Sequence, residues 1–195
     1  MSKQDRLNKL FAEYQNEFAG EEIVLDCGNI DTRIFLIGEA PGKDEVKLSK
    51  PFVGAAGKNL NKFLEVIGLM RDNIFVANSI KYRLSKINPK SGRKINRPPT
   101  KDEIEKNQRY LIKEIEIISP EIIVTLGNVP LKMVSGDKSI SIGNVHGELI
   151  KIQVLDKEYS LYPLYHPASI IYNASLQDVY MEDVVKLKGI LEKLI

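Results

Sequence analysis

Short apolar runs that stop at glycine or asparagine, with helical periodicity between them, constrain this chain more than any other feature. RIFLI (33–37), IFVA (74–77) and EIIVTL (121–126) are apolar at successive positions, not alternate ones. A strand apolar on both sides has to be covered on both sides, as strands are in a parallel sheet between helical layers. The intervening segments supply the covers. Leu60, Phe63, Leu64 and Ile67 follow the i, i+3, i+4, i+7 rule, which predicts a helix over 57–67. Thr100 followed by Glu103 has the spacing of a capping box and opens a helix with Ile104, Leu111, Ile115 and Ile118 inward. Leu7, Leu10, Phe11, Tyr14 and Phe18 predict an amphipathic helix near the start, and Tyr180, Val184, Leu187 and Leu191 another near the end. Residues 148–155 and 159–165 read as strands joined by a turn at Asp156-Lys157. The expectation is one domain over 1–195, α/β in class: a three-layer α/β/α sandwich around a central, mainly parallel four-stranded sheet.

Composition narrows the setting. With 195 residues, 43% hydrophobic and 28% charged, the chain can bury a substantial core. No apolar run approaches the roughly 18 residues needed to cross a bilayer. The start, MSKQDRLNKLF, is charged and amphipathic and unlike a signal peptide, so a cytoplasmic protein without membrane contact is expected, and as a monomer. The single cysteine, Cys27, can form no internal disulfide and is expected as a small, partly buried apolar residue. The net charge of +2 says little, but its distribution says more. Between Lys81 and Lys101 stand eight basic residues and no acid, the pattern of a polyanion partner or of a solvated loop.

Sites in parallel sheets collect at the carboxyl ends of strands. GEAPG (38–42), NSIKYR (78–83), LGN (126–128) and YHPAS (165–169) occupy such ends here. Gly38, Pro41 and Gly42 make a turn that brings main-chain N–H groups close to a ligand, or that merely joins strand to helix. Phe52, in the stiff segment Pro51-Phe52-Val53-Gly54, is a stacking platform for a base or a cap on the core. Asn78 can donate and accept at a pyrimidine edge, or satisfy local backbone. Pro167 disfavours helix at His166 and leaves that ring on a strand exit, as an oxyanion donor or a structural histidine. Together these residues describe a pocket for a flat polar ring beside a basic loop, which fits an enzyme acting on a base within nucleic acid.

GEAPGKDE, KPFVGAAGKNL, VANSIKYR, NRPPTKDEIEKNQRYL, PEIIVTLGN and YHPAS, in that order over about residues 31–190, resemble the uracil-DNA glycosylase superfamily, most closely its family 4. The resemblance implies a DNA repair hydrolase that cleaves the N-glycosidic bond of deaminated bases, chiefly uracil, by base flipping and leaves an abasic site. Uracil-containing DNA would be its partner and the nucleoid its place of work. Gly38, Glu39 and Ala40 would form the pocket floor, Phe52 would stack on uracil, Asn78 would read its edge, and His166 would face O2. Catalysis would fall to His166, Asn78 and Glu39, the last positioning water or the turn. Lys81, Arg83, Arg93, Lys94, Arg97 and Ser169 would contact DNA, with the segment after His166 in the minor groove. Two further readings stay open: a glycosylase for another base such as hypoxanthine, and a nucleic-acid-binding member weak or inactive in catalysis.

The sequence departs from the family pattern in three places. Family 4 members usually hold a [4Fe–4S] cluster on four cysteines, but two of those positions here are Tyr82 and Asn107 and Cys27 has no partner. Such clusters require thiolates, so no iron–sulfur cluster, metal or other cofactor is expected. The 84–99 loop resembles in length that of a branch that bonds DNA through the His of Arg-Arg-Ile-His; this chain has Arg93-Lys94-Ile95-Asn96, so no covalent trapping is expected. After HPA, the usual Leu-Leu-Arg-Asn-Pro reads Ile-Ile-Tyr-Asn-Ala.

Overall fold

A computed structural model describes residues 1–172 and 175–193. Helix α1 (Lys3–Glu17) begins at a capping box in which Ser2 and Asp5 bond reciprocally. Strand β1 (Cys27–Gly28) and strand β2 (Ile34–Gly38) follow, then helices α2 (Lys43–Leu48) and α3 (Ala55–Ile67) and strand β3 (Phe75–Asn78). The basic segment holds strands β4 (Ser85–Ile87) and β5 (Lys94–Asn96) and leads into helix α4 (Lys101–Ile118). Strand β6 (Ile122–Leu126), helices α5 (Asn128–Ser135) and α6 (Ile142–Val145), strands β7 (Ile150–Val154) and β8 (Lys157–Leu164), and helices α7 (Pro167–Tyr172) and α8 (Ser175–Lys193) complete the order. As the sequence predicts, Thr100 caps α4: its side chain accepts from the N–H of Glu103, whose carboxylate accepts from the N–H of Thr100.

The main sheet has six strands, in the order β1-β3-β2-β6-β8-β7. The expected four parallel strands are its centre, β3-β2-β6-β8. What corrects the expectation is an antiparallel strand at each edge, β1 on β3 and β7 on β8. A two-residue strand has no periodicity to read, and β1 exists only through its register with Phe75 and Val76. Cys27 lies exposed on this edge, not partly buried as expected. The basic segment is likewise no plain loop: β4 and β5 pair as an antiparallel hairpin.

Alternation within each central strand serves two cores. Ile34 and Leu36 of β2 pack with Leu60, Phe63 and Leu64 of α3 and Val184 and Leu187 of α8. Phe35 and Ile37 turn to the other side, among Leu7 and Tyr14 of α1, Leu111 and Ile115 of α4 and Leu131 of α5. Each such side chain contributes about 1.5–3 kcal/mol of burial free energy. The chain leaves β2 to lay down β3 on one flank and β6 on the other. At that reversal the loops part, and a crevice opens at the carboxyl ends of β2 and β6.

Candidate active site

The crevice is a cavity of about 340 Å³, lined by Phe52, Asn78 and His166 together with Ala40, Asn96 and Ala168. Three residues that the sequence places on separate loops therefore face one hollow. Gly38 makes their approach possible. A Cβ there would stand 2.4 Å from Cζ of Phe52 and 2.9 Å from Oδ1 of Asn78. Glycine is needed here for space and not for a left-handed dihedral; Gly42, too, has an ordinary φ of −90°.

Asn78 is 2% exposed. Its backbone N–H donates to Asp26 Oδ1 and its carbonyl accepts from Lys81, but its side-chain amide makes no hydrogen bond among the described residues. The amide lines the cavity, where its oxygen can accept and its nitrogen can donate. His166 receives the N–H of Ala168 on Nδ1 at 3.1 Å. A nitrogen that accepts carries no proton, so the neutral ring is protonated on Nε2, which is its available donor. Burial lowers the pKa of His166 and keeps the ring neutral.

Phe52 is 5% exposed and has φ of 53°, in the left-handed region that disfavours a non-glycine residue by about 1–3 kcal/mol. Two residues that the sequence did not single out for this purpose hold it there. Glu45 accepts from the N–H groups of Gly42, Val53 and Gly54 at 2.8–3.1 Å. Arg71 donates to the carbonyls of Pro51, Phe52 and Gly57. Gly57 is required because a Cβ would lie 1.9 Å from the Phe52 carbonyl oxygen. The three-residue step from Gly42 to Glu45 is a legible signal, whereas Arg71 lies 19 residues from the carbonyl it holds and gives none.

Glu39, expected to position water, is not among the residues that line the cavity. Its main-chain carbonyl accepts from Ile80, and burial raises the pKa of its carboxyl. Asp44 and Glu45 are the acids on the cavity wall. Glu45 is committed to backbone N–H groups, whereas Asp44 is exposed. Asn96 also reaches the wall from β5, its Oδ1 accepting from Arg83 Nε at 3.2 Å.

The basic run divides. Lys81 is not a surface residue as expected: it is 1% exposed and bonded to Asp26 and Glu114, so no phosphate reaches it. Arg83 is also turned inward, onto Asn96 and the carbonyl of Lys94. Arg97 forms a two-pronged pair with Glu103 and holds that carboxyl down at about 2. Lys94 is exposed and paired with Glu22. Arg93, Lys86 and Lys90 are exposed, and their side chains make no bond among the described residues. Ser169 lies on α7, its N–H bonded to the His166 carbonyl. Of the segment that the resemblance carries into the minor groove, Asn173 and Ala174 lie outside the described residues.

The two positions that the resemblance assigns to cluster cysteines do not fit such a group. Asn107 donates to the Tyr82 hydroxyl and accepts from the Tyr14 hydroxyl, and both tyrosine rings pack on Phe18. Neither position offers a thiolate, and the one cysteine of the chain stands on β1.

A covered, mainly parallel sheet with a cavity at its strand-order reversal defines an α/β protein whose candidate site lies at the strand ends. The family model described as the Uracil DNA glycosylase superfamily matches residues 25–187, and the chain belongs to that superfamily. Among curated proteins it is 40% identical over 159 residues to the Type-4 uracil-DNA glycosylase of Sulfurisphaera tokodaii, covering 80% of this chain and 68% of the relative. It is 37% identical over 184 residues to the enzyme so named in Saccharolobus solfataricus, covering 92% and 78%. The Thermotoga maritima enzyme of the same name is 35% identical over 173 residues, covering 88% and 84%.

Proposed function

We propose that the chain is a uracil-DNA glycosylase that hydrolyses the N-glycosidic bond of uracil turned out of DNA, working as a cytoplasmic monomer without an iron–sulfur cluster. One observation carries the reading: the unpartnered amide of Asn78, the ring of Phe52 and the neutral His166 meet in a single hollow. At 2% and 5% exposure Asn78 and Phe52 lie too deep to meet a base stacked in a duplex, so the nucleotide has to swing out. Stacking on Phe52 contributes about 1–3 kcal/mol. The Asn78 amide pairs with the N3–H and O4 edge of uracil.

Cleavage passes through a state with positive charge on the sugar and negative charge on the departing base. His166 Nε2–H donates to O2, where that negative charge gathers, and one such fixed donor supplies about 3–4 kcal/mol. Water is held at the mouth, where Asp44 and Asn96 line the cavity. The exposed Lys86, Lys90 and Arg93 meet phosphates.

The test uses single- and double-stranded oligonucleotides containing uracil, hypoxanthine or thymine at one position, followed by alkaline cleavage of abasic sites. Scission at uracil alone is the expected result. Scission only at hypoxanthine moves the substrate to another deaminated base, and binding without scission at any base overturns the catalytic reading.

A further inference from the structure

Lys81 opens the basic run, yet its side chain lies beside those of Asp26 and Glu114, which are 0% exposed. A buried ammonium between two carboxylates is expensive to desolvate and is weak evidence for stability. Its arrangement around Asn78 gives it another role. Asp26 Oδ1 accepts the N–H of Asn78 at 2.9 Å, while Lys81 Nζ donates to the carbonyl of the same residue at 3.1 Å. Lys81 Nζ also donates to Glu114 Oε2 at 2.8 Å, which ties the strand end to α4. The Lys81 N–H donates to the Tyr14 hydroxyl at 2.9 Å, which ties it to α1. Both peptide groups of Asn78 are thus gripped by side chains, and the free amide is aimed from this fixed base.

Burial and the adjacent Asp26 push the Glu114 carboxyl well above the usual carboxylate range. Burial alone would lower Lys81, but Asp26 and Glu114 together hold its ammonium above the ordinary value.

We infer that Asp26, Lys81 and Glu114 form a positioning device that sets the Asn78 amide for the uracil edge, and that Lys81 belongs to base recognition, not to DNA binding. The inference rests on the glycosylase reading above. An amide displaced by about 1 Å is enough to cost about a hundredfold in rate.

The experiment compares wild type with Lys81→Met, Asp26→Asn and Glu114→Gln. It measures kcat on uracil DNA, inhibition by free uracil, the salt dependence of DNA binding, and folding by circular dichroism. Lys81→Met is expected to lose about 10–100-fold in kcat, and free uracil to inhibit it about tenfold more weakly, with the salt slope unchanged. Asp26→Asn loses less, because an acceptor for the Asn78 N–H remains, and Glu114→Gln least, because an acceptor for Lys81 Nζ remains and Glu114 bonds Lys81, not Asn78. A folded Lys81→Met with wild-type kcat and uracil inhibition overturns the device. So does a salt slope reduced by about one unit, which would mean that Lys81 neutralises a phosphate in the wild type. If Lys81→Met does not fold, Asp26→Asn decides: unaltered kcat and uracil inhibition overturn the proposal. Variants that match an active wild type sink the positioning role alone, whereas a wild type inert toward uracil sinks the glycosylase reading with it.

Discussion

The slot and the β4–β5 hairpin border the same cavity but use charge in opposite ways. Around the slot, charged side chains are turned inward: Glu45 and Arg71 hold the Phe52 segment, and Asp26 and Lys81 hold Asn78. The Phe52 ring and the Asn78 amide carry no charge, and burial disfavours one on His166, while Asp44 is the exposed acid on the cavity wall. On the hairpin, the Arg97–Glu103 pair stands at the base and the Lys94–Glu22 pair near the turn, while Lys86, Lys90 and Arg93 are exposed. A fixed neutral site can discriminate a base and stabilise a transition state, because its dipoles need no reorganisation. A mobile exposed cation attracts phosphate without regard to sequence. Rate and affinity should therefore separate along this divide.

His166→Ala should give the largest effect, a fall of about 100–1,000-fold in kcat with little change in DNA affinity. Equal losses in kcat and affinity would make His166 a structural residue. Glu45→Ala strips the acceptor from the N–H groups of Gly42, Val53 and Gly54. A cost of about 1–3 kcal/mol is expected, read as a Tm lowered by about 2–4 °C per kcal/mol. Single-turnover rates should fall with it because Phe52 loses its seat. An unchanged Tm and rate would mean that Arg71 alone suffices.

The hairpin triple variant Lys86→Ala/Lys90→Ala/Arg93→Ala should reduce the slope of log K against log salt by about 0.9 for each phosphate that is no longer neutralised. Its kcat at saturating DNA should stay within about twofold of wild type; a large fall there breaks the comparison. The smallest effect concerns pH. Burial lowers the His166 pKa below its usual 6.5, so the folded ring stays neutral where the unfolded one already takes a proton. Folding stability therefore declines as pH drops through 6.5, while kcat stays level until pH passes below the folded value. Protonation then sets Nδ1–H against the Ala168 N–H and turns the ring. A rate that falls midway at 6.5 or above would refute a lowered pKa.

Much of this was legible in the residues. Successive apolar positions in RIFLI and EIIVTL foretold the parallel centre, and the Thr100–Glu103 spacing foretold the start of α4 to the residue. Asn78 and His166 were legible as candidates because each ends or follows an apolar run, and Phe52 because it stands in the stiff segment Pro51-Phe52-Val53-Gly54. The edge strand β1 was not, since two residues carry no period. Nor was the absence of Glu39 from the cavity lining, which depends on how the turn is packed.

Local order along the chain determined which segments become strands and helices, and which ends of them meet solvent, because side-chain periodicity acts between near neighbours. The tertiary structure alone decided the task of each charge. Lys81 and Arg93 are both cations of one basic run; the first meets Asp26 and Glu114 from distant segments and vanishes from the surface, the second meets only water. The partner that commits an ion lies 33 residues away for Lys81 and Glu114, and 52 for Asp26 and Asn78. Contacts of that span exist only after the sheet has assembled and excluded water from between them.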